Sequence, residues 1–250
     1  MLRLRRLVVL VLFAVCATTA SLFWALGQSA ADARAAFSPP PQAEVELEML
    51  SSGMTTAVNV TRNPDADWVI RAAGHTGIPE RALRAYVAAA VTVNATVPTC
   101  GIGWNTVAAV GFVETAHGTY GGGSLTASGL GSRPVIGPVL NGAGFAAIAD
   151  TDAGVLDGDA RWDRAVGPMQ FIPSTWKLVG RDGNGDGTAD PFNIDDAALS
   201  AAIYLCSGGR DLTTADGWTG AIYAYNQSDA YIRQVRDEAR AYAAKAGAAG

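Results

Sequence analysis

The chain has 250 residues, enough for one sizeable core or two small ones. It carries 18 basic and 23 acidic residues, a net charge of -5, and no basic patch beyond the first six residues, which argues against a nucleic-acid partner. Two histidines and three cysteines, with no Cys/His cluster at ligand spacing, leave little material for a zinc site.

Leu2-Arg3-Leu4-Arg5-Arg6 is a basic start, and Leu7 to Leu26 then runs without a charge. That length suits a membrane-spanning helix with its N-terminus inside the cell. A cleaved signal peptide is the alternative, with Ala31-Asp32-Ala33 as a small-x-small cleavage pattern. On either reading the rest of the chain is extracytoplasmic, in the cell envelope. Residues 1–27 are therefore assigned to an anchor or signal. Residues 28–63, Ala-rich and carrying Pro39-Pro40-Pro41, read as a disordered linker. A single domain is expected over 64–245.

Within that domain the pattern is helical. Asp65 to Ala73 starts with acids and is closed by Gly74, and Ile78 to Ala90 has Pro79 in its first turn. A third helix spans Asn105 to Gly118, with Asn105 or Thr106 as N-cap and Gly118 as the stop. Val107, Val110 and Gly111 share one face of it, and Glu114 continues that face. A carboxylate on an apolar stripe is costly unless paired, protonated or used, and burial raises its pKa toward that of a general acid. The competing reading is a Glu that turns back to solvent or pairs with an arginine.

From Gly118 to Trp162 the chain is rich in Gly, Ser, Pro and Asp, and Phe145 to Ile148 is at most a short turn of helix or a strand. A loop of this length is often functional. Further helices are expected from near Pro173, over Ala197–Cys206, Gly220–Tyr225 and Asp229–Ala244. The fold class is all-α, with no credible sheet. Trp68, Trp104 and Trp218 are assigned to the core, while Trp162 and Trp176 stay open. Cys100 and Cys206 are the only cysteines after the apolar run, and an even pair in an exported chain usually forms a bridge. Such a bridge would contribute about 4–5 kcal/mol in the loop-entropy model. Two buried free thiols are the rival.

Asp182-Gly183-Asn184-Gly185-Asp186-Gly187-Thr188-Ala189-Asp190 matches the opening of an EF-hand loop. Asp182, Asn184 and Asp186 supply oxygen ligands, Thr188 a backbone carbonyl, and Asp190 a direct or water-mediated ligand. The twelfth position is Asn193 rather than Glu. Asp196 is expected to act in its place, with Asp195 as competitor. The ion would be structural Ca2+. An acidic, Gly-rich turn without metal is the alternative.

Three motifs then line up. Glu114-Thr115-Ala116-His117-Gly118 resembles the Glu-Ser-x-His-Gly signature of lytic murein transglycosylases. Gly167-Pro168-Met169-Gln170-Phe171-Ile172-Pro173-Ser174-Thr175-Trp176 is similar to the family's Gly-x-x-Gln-Phe-x-Pro-Ser-x-Trp/Tyr stretch. Ala221-Ile222-Tyr223-Ala224-Tyr225-Asn226 resembles its Tyr-Asn motif. The interposed calcium-like loop points to the membrane-bound B subgroup in its compact actinobacterial form. Thr115 stands where the family has Ser, and the stretch from Tyr120 to Arg161 has no clear counterpart.

The resemblance implies a lysozyme-like fold with long irregular loops. It implies non-hydrolytic cleavage of the N-acetylmuramic acid–N-acetylglucosamine bond in peptidoglycan, leaving a 1,6-anhydromuramic end. Glu114 would be acid and then base. Gln170 would bond the substrate, Met169 and Phe171 would wall the cleft, and Tyr225 and Asn226 would orient the Glu or the acetamido group. Tyr204 matches a cleft tyrosine. His117 is expected to bond backbone at the helix end rather than to act in chemistry. No organic cofactor is called for. A hydrolytic muramidase and a non-catalytic wall-binding module are the alternatives.

Overall fold

The computed structural model describes residues 39–43, 64–144 and 146–247. The anchor or signal assigned to 1–27, most of the 28–63 linker and Phe145 lie outside the described residues. Seven α-helices occur among those described: α1 (Ala66–Thr76), α2 (Glu80–Thr96), α3 (Trp104–Thr115), α4 (Pro173–Val179), α5 (Ile194–Cys206), α6 (Ala215–Tyr225) and α7 (Asp229–Gly247). The fold is mostly helical, as the sequence indicates. Two strands, β1 (Ile136–Val139) and β2 (Arg164–Val166), pair antiparallel with Ile136 opposite Val166. This small sheet corrects the expectation of none. Gly-rich turns and a proline hide so short a pairing from any periodicity argument.

The organising element is α3. Trp104 to Gly111 are all buried, so the helix is apolar all round rather than on one stripe, and it occupies the centre. It packs against α2 and α7, and α2 packs in turn on α5. Trp218, 0% exposed, donates its indole N–H to Thr106 Oγ1 at 3.1 Å. Trp68 and Trp104 meet edge to face in the same core, and Trp176 joins the buried set. Trp162 stays half-buried.

Several boundaries differ from expectation. Helix α1 runs through Gly74 and stops at Gly77, whose φ of +78° makes the left-handed turn. Its N-cap is Asp65, which accepts from the Trp68 N–H at 2.7 Å. Helix α3 begins at Trp104, because Asn105 is committed elsewhere, and it ends at Thr115 with Ala116 as the left-handed cap. Asn193 and Thr214 cap α5 and α6 with their side chains. Cys100 and Cys206 form a disulfide with a sequence separation of 106, joining the approach to α3 with the end of α5.

Part of the expected linker lies on the domain. Gln42 Nε2 donates to Gly101 O at 2.8 Å, and the Ala43 N–H donates to Asn105 Oδ1 at 3.3 Å. Asn105 Nδ2 donates to Pro41 O and to Ala239 O, each at 3.0 Å. Asn105, 1% exposed, thus fastens residues 41–43 and α7 to the first turn of α3. A Cβ on Gly103 would stand 2.2 Å from Gln42 Oε1, so glycine makes room for the segment. Asn105→Ala strips partners from buried backbone groups and is expected to cost roughly 2–3 kcal/mol in urea unfolding. A change within about 0.5 kcal/mol, the range of an ordinary surface substitution, would mean that the segment does not hold to the domain.

Candidate active site

Glu114 lies in the last turn of α3, half-buried. Its Oε1 accepts a 2.5 Å hydrogen bond from the Tyr231 hydroxyl on α7. Burial pushes the Glu114 carboxyl up to about 7, while the Tyr231 bond pulls the other way by stabilising the anion. The negative end of the α3 dipole also disfavours a carboxylate in this turn. Among the described residues, no second carboxylate contributes to the shift of Glu114. Burial, with Glu114 alongside, holds the Tyr231 hydroxyl well above the usual tyrosine range, so it remains a donor.

The Gly167–Trp176 turn is held against Glu114 from two sides. Thr115 Oγ1 donates to Pro168 O at 2.6 Å and accepts from the Gly118 N–H at 2.8 Å. The Tyr225 hydroxyl donates to Met169 O at 2.7 Å. Gly167 has φ +75°, and a Cβ there would stand 1.8 Å from Pro191 O, so no other residue fits. Gln170 takes φ +50°, rare for a residue with a side chain, and its Nε2 bonds Gly167 O at 2.9 Å.

Aromatic rings line the rest. Tyr225 and Tyr231 stack with an interplanar angle of 6°, and Tyr204 meets Tyr225 edge to face at 5.7 Å. The Tyr204 hydroxyl donates to Ala224 O at 3.0 Å. Phe171 contacts both Tyr225 and Trp176. Met169 is 0% exposed and Phe171 3%, which corrects their reading as cleft walls: they pack beneath the site. Gly111 makes room for Tyr86 and Met169, since a Cβ there would stand 2.2 Å from Tyr86 Oη and 3.2 Å from Met169 Sδ. Tyr225 anchors the turn rather than Glu114. Asn226 is exposed at the end of α6.

Tyr231, the carboxyl's actual partner, escaped the sequence reading. It sits on an amphipathic helix like any core tyrosine, and its only signal is its place five residues after Asn226. His117 does not bond backbone through its ring. Its Nδ1 meets Tyr86 Oη at 3.2 Å and its Nε2 meets Tyr242 Oη at 3.0 Å, and burial lowers it to about 4. It is a neutral, structural link between α2 and α7.

In the Asp182–Asp190 loop, Asp182 accepts from the Gly185 and Gly187 N–H groups, and these bonds lower its pKa. Asn184 accepts from Asp186 N–H, Asp186 from Thr188 N–H, and Asp190 from Phe192 N–H. Asp196 is 0% exposed and faces the loop, accepting from Gly183, Asn184 and Asp190 N–H. Asp195 turns away to pair with Arg81. Asn193 accepts from Asp195 N–H and donates to Ser128 O, so it is no twelfth ligand. Among the described residues, the carboxylates that come within 4.8 Å of one another as a group of three are Asp150, Asp152 and Asp163. They lie in the loop before β2, which the sequence reading left unassigned.

Residues 145–219 match the model of the family described as the Transglycosylase SLT domain. The matched stretch contains the Gly167–Trp176 turn, the Asp182–Asp190 loop and Tyr204. It begins after Glu114 and ends before Tyr225. At the level of that family, the match supports an enzyme that cleaves glycosidic bonds in peptidoglycan. The structure is similar to the Escherichia coli lytic transglycosylase Slt35 in complex with bulgecin A, at 15% identity over 72% of this chain and 79% of that one, with a TM-score of 0.39. No curated protein matches the chain.

Removing the Tyr231 hydroxyl removes a bond that favours the ionised carboxyl. Tyr231→Phe should therefore raise the Glu114 pKa above its value of about 7. NMR titration of side-chain-labelled glutamate reads this directly. An unchanged or lowered midpoint would mean that the two groups do not interact.

Proposed function

We propose that this chain is a peptidoglycan lytic transglycosylase of the B type, acting outside the cytoplasm from a membrane anchor or after signal cleavage. The observation that carries the reading is a half-buried Glu114, raised to about 7, held by Tyr231 and set against the Gly167–Trp176 turn. The family match over that turn supports it.

Near neutral pH about half of such carboxyls are protonated, which suits a group that must give and then take a proton. Protonated Glu114 donates to the glycosidic oxygen, and the C1–O bond to the leaving sugar breaks. The acetamido oxygen of the muramic acid bonds C1 and carries the positive charge as a cyclic ion. Ionised Glu114 then removes the proton from the C6 hydroxyl, and O6 displaces the acetamido oxygen at C1. The 1,6-anhydro ring closes with no net water consumed. A single carboxyl suffices because the substrate supplies the nucleophile. Gln170 and Tyr204 bind sugar at the cleft, Asn226 is exposed beside it, and Tyr225 fixes the turn.

Glu114→Gln should lower the turnover by roughly three orders of magnitude or more, since it removes both proton transfers. It should spare binding to sacculi. Mass spectrometry of wild-type digests should find products lighter by one water per cut than hydrolytic products. Reducing ends would instead establish a muramidase. Sacculus binding without any cleavage would establish a wall-binding module.

The Asp182–Asp190 loop is proposed to hold a structural Ca2+. Its donors are hard oxygens from Asp182, Asn184, Asp186, the Thr188 carbonyl and Asp190, the set such an ion takes. Asp196, gripping three loop amides, would complete the set or brace it. At about a thousand times its dissociation constant, calcium adds about 4 kcal/mol of stability. Chelation should therefore lower Tm in wild type, and Asp182→Ala together with Asp186→Ala should abolish the difference. Equal Tm with and without chelator would end the assignment.

A further inference from the structure

The turn that follows the acid holds a buried group for which the proposed chemistry has no use. Tyr86, His117 and Tyr242 are all buried, and the imidazole stands between the two hydroxyls, at 3.2 and 3.0 Å. A neutral imidazole has one N–H and one acceptor nitrogen, so the direction of the link follows from where each hydroxyl can place its own proton. Tyr86 Oη is closed in. A Cβ on Gly111 would stand 2.2 Å from it, and among the described residues its hydrogen-bond partner is His117 Nδ1. If Tyr86 only accepted there, its own buried O–H would lack an acceptor. Tyr86 therefore donates to Nδ1, and the imidazole carries its proton on Nε2 and donates to Tyr242 Oη. Tyr242 has an outlet for its remaining proton, because it lines a cavity of about 420 Å³ whose walls also hold Phe112, Glu238 and Lys245.

Tyr242 shares its helix with Tyr231, and both are buried residues of α7. They lie about three helical turns apart, so they share one face of α7. One hydroxyl holds the Glu114 carboxyl and the other meets His117, so α7 grips both the last turn of α3 and the chain that leaves it. The His117 end of this grip has supports of its own. Its backbone N–H donates to Gly111 O at 2.9 Å, and Tyr86 holds its ring from α2. We infer that His117, as the Nε2–H tautomer, is a positioning residue: braced by Tyr86, it fixes Tyr242 and with it the setting of α7 that brings the Tyr231 hydroxyl onto Glu114. The inference deepens the transglycosylase reading and rests on it for its kinetic consequence.

The tautomer is read by long-range proton–nitrogen NMR of imidazole-labelled protein, with the His117 signals assigned by their loss in His117→Gln. A bare Nδ1 and a protonated Nε2 are expected, and the opposite tautomer would overturn the assignment. The coupling is read by titrating Glu114 in side-chain-labelled Tyr242→Phe, Tyr231→Phe and the double variant. Tyr242→Phe keeps the ring and loses the hydroxyl. It should raise the Glu114 midpoint by part of the shift that Tyr231→Phe produces, and should add nothing once Tyr231 is replaced. A midpoint unmoved by Tyr242→Phe, or the same increment in both backgrounds, would reduce the link to packing and sink the inference. On glycan strands, Tyr242→Phe should lower kcat for anhydro ends roughly threefold to tenfold, the scale of one coupled contact, with KM held within about twofold. His117→Gln, which keeps an N–H donor for Tyr242, should retain more of kcat than His117→Ala. A loss carried by KM alone, or no advantage of Gln over Ala, counts against the positioning role. If wild type cuts no strand, the transglycosylase reading fails instead, and the titrations still decide the link.

Discussion

One constraint governs this molecule: a carboxyl has to be kept half-dry at the end of a helix whose residues from Trp104 to Gly111 are all buried. An α-helix without a polar face can only sit at the centre of a domain. Helices α2 and α7 therefore wrap α3, and its C-terminal turn is the first point at which it can offer a side chain to a cleft. Glu114 occupies that point. The left-handed run Ala116, His117 and Gly118 then turns the chain sharply away, so the acid is not followed by another helical turn that would cover it. Ala116 and His117 adopt that conformation at a cost that glycine would not incur. The His117 links to Tyr86 and Tyr242 supply part of the compensation.

The turn from Gly167 to Trp176 answers the same constraint from the other side. It is fixed by bonds to its own carbonyls, from Thr115 to Pro168 and from Tyr225 to Met169. The Gln170 amide adds a third such bond, to Gly167 O, while Met169 goes down into the core against Gly111. The backbone at Gln170 is strained, and strain of this kind persists only where the surroundings over-determine it. Here Gly167, locked by Pro191, and the antiparallel bonds between Val166 and Phe171 close the turn on both flanks. The family match covers this turn, whereas the acid itself lies on an element outside the matched stretch.

How much of this could be read from the chain follows from the range of each interaction. The helical class, the central acid and the buried tryptophans rest on local periodicity and composition, and those signals are strong over ten or more residues. The bridge between Cys100 and Cys206 needed only their number and the expectation of export. The partner of Glu114 was not legible, because Tyr231 is separated from it by 117 residues and its helix is patterned like any other. Met169 was misread for a related reason: in a short irregular turn, successive side chains point up or down according to φ, which the sequence does not state. The β1–β2 pair has too few residues to leave a period. Docking of residues 41–43 onto Asn105 depends on the missing side chain of Gly103, and an absence of atoms is the hardest signal to see in a sequence.

The first turn of α5 joins the two regions that surround the site. Two neighbouring aspartates diverge there. Asp195 pairs with Arg81, which also holds Ala127 O, while Asp196 turns inward to three amides of the 182–190 loop. Asn193, one turn earlier in the chain's approach, caps the helix and holds Ser128. Anything that moves α5 therefore moves both the Asp182–Asp190 loop and the Ala127–Gly129 segment. One helix turn thereby ties that loop to a segment 65 residues before Asn193.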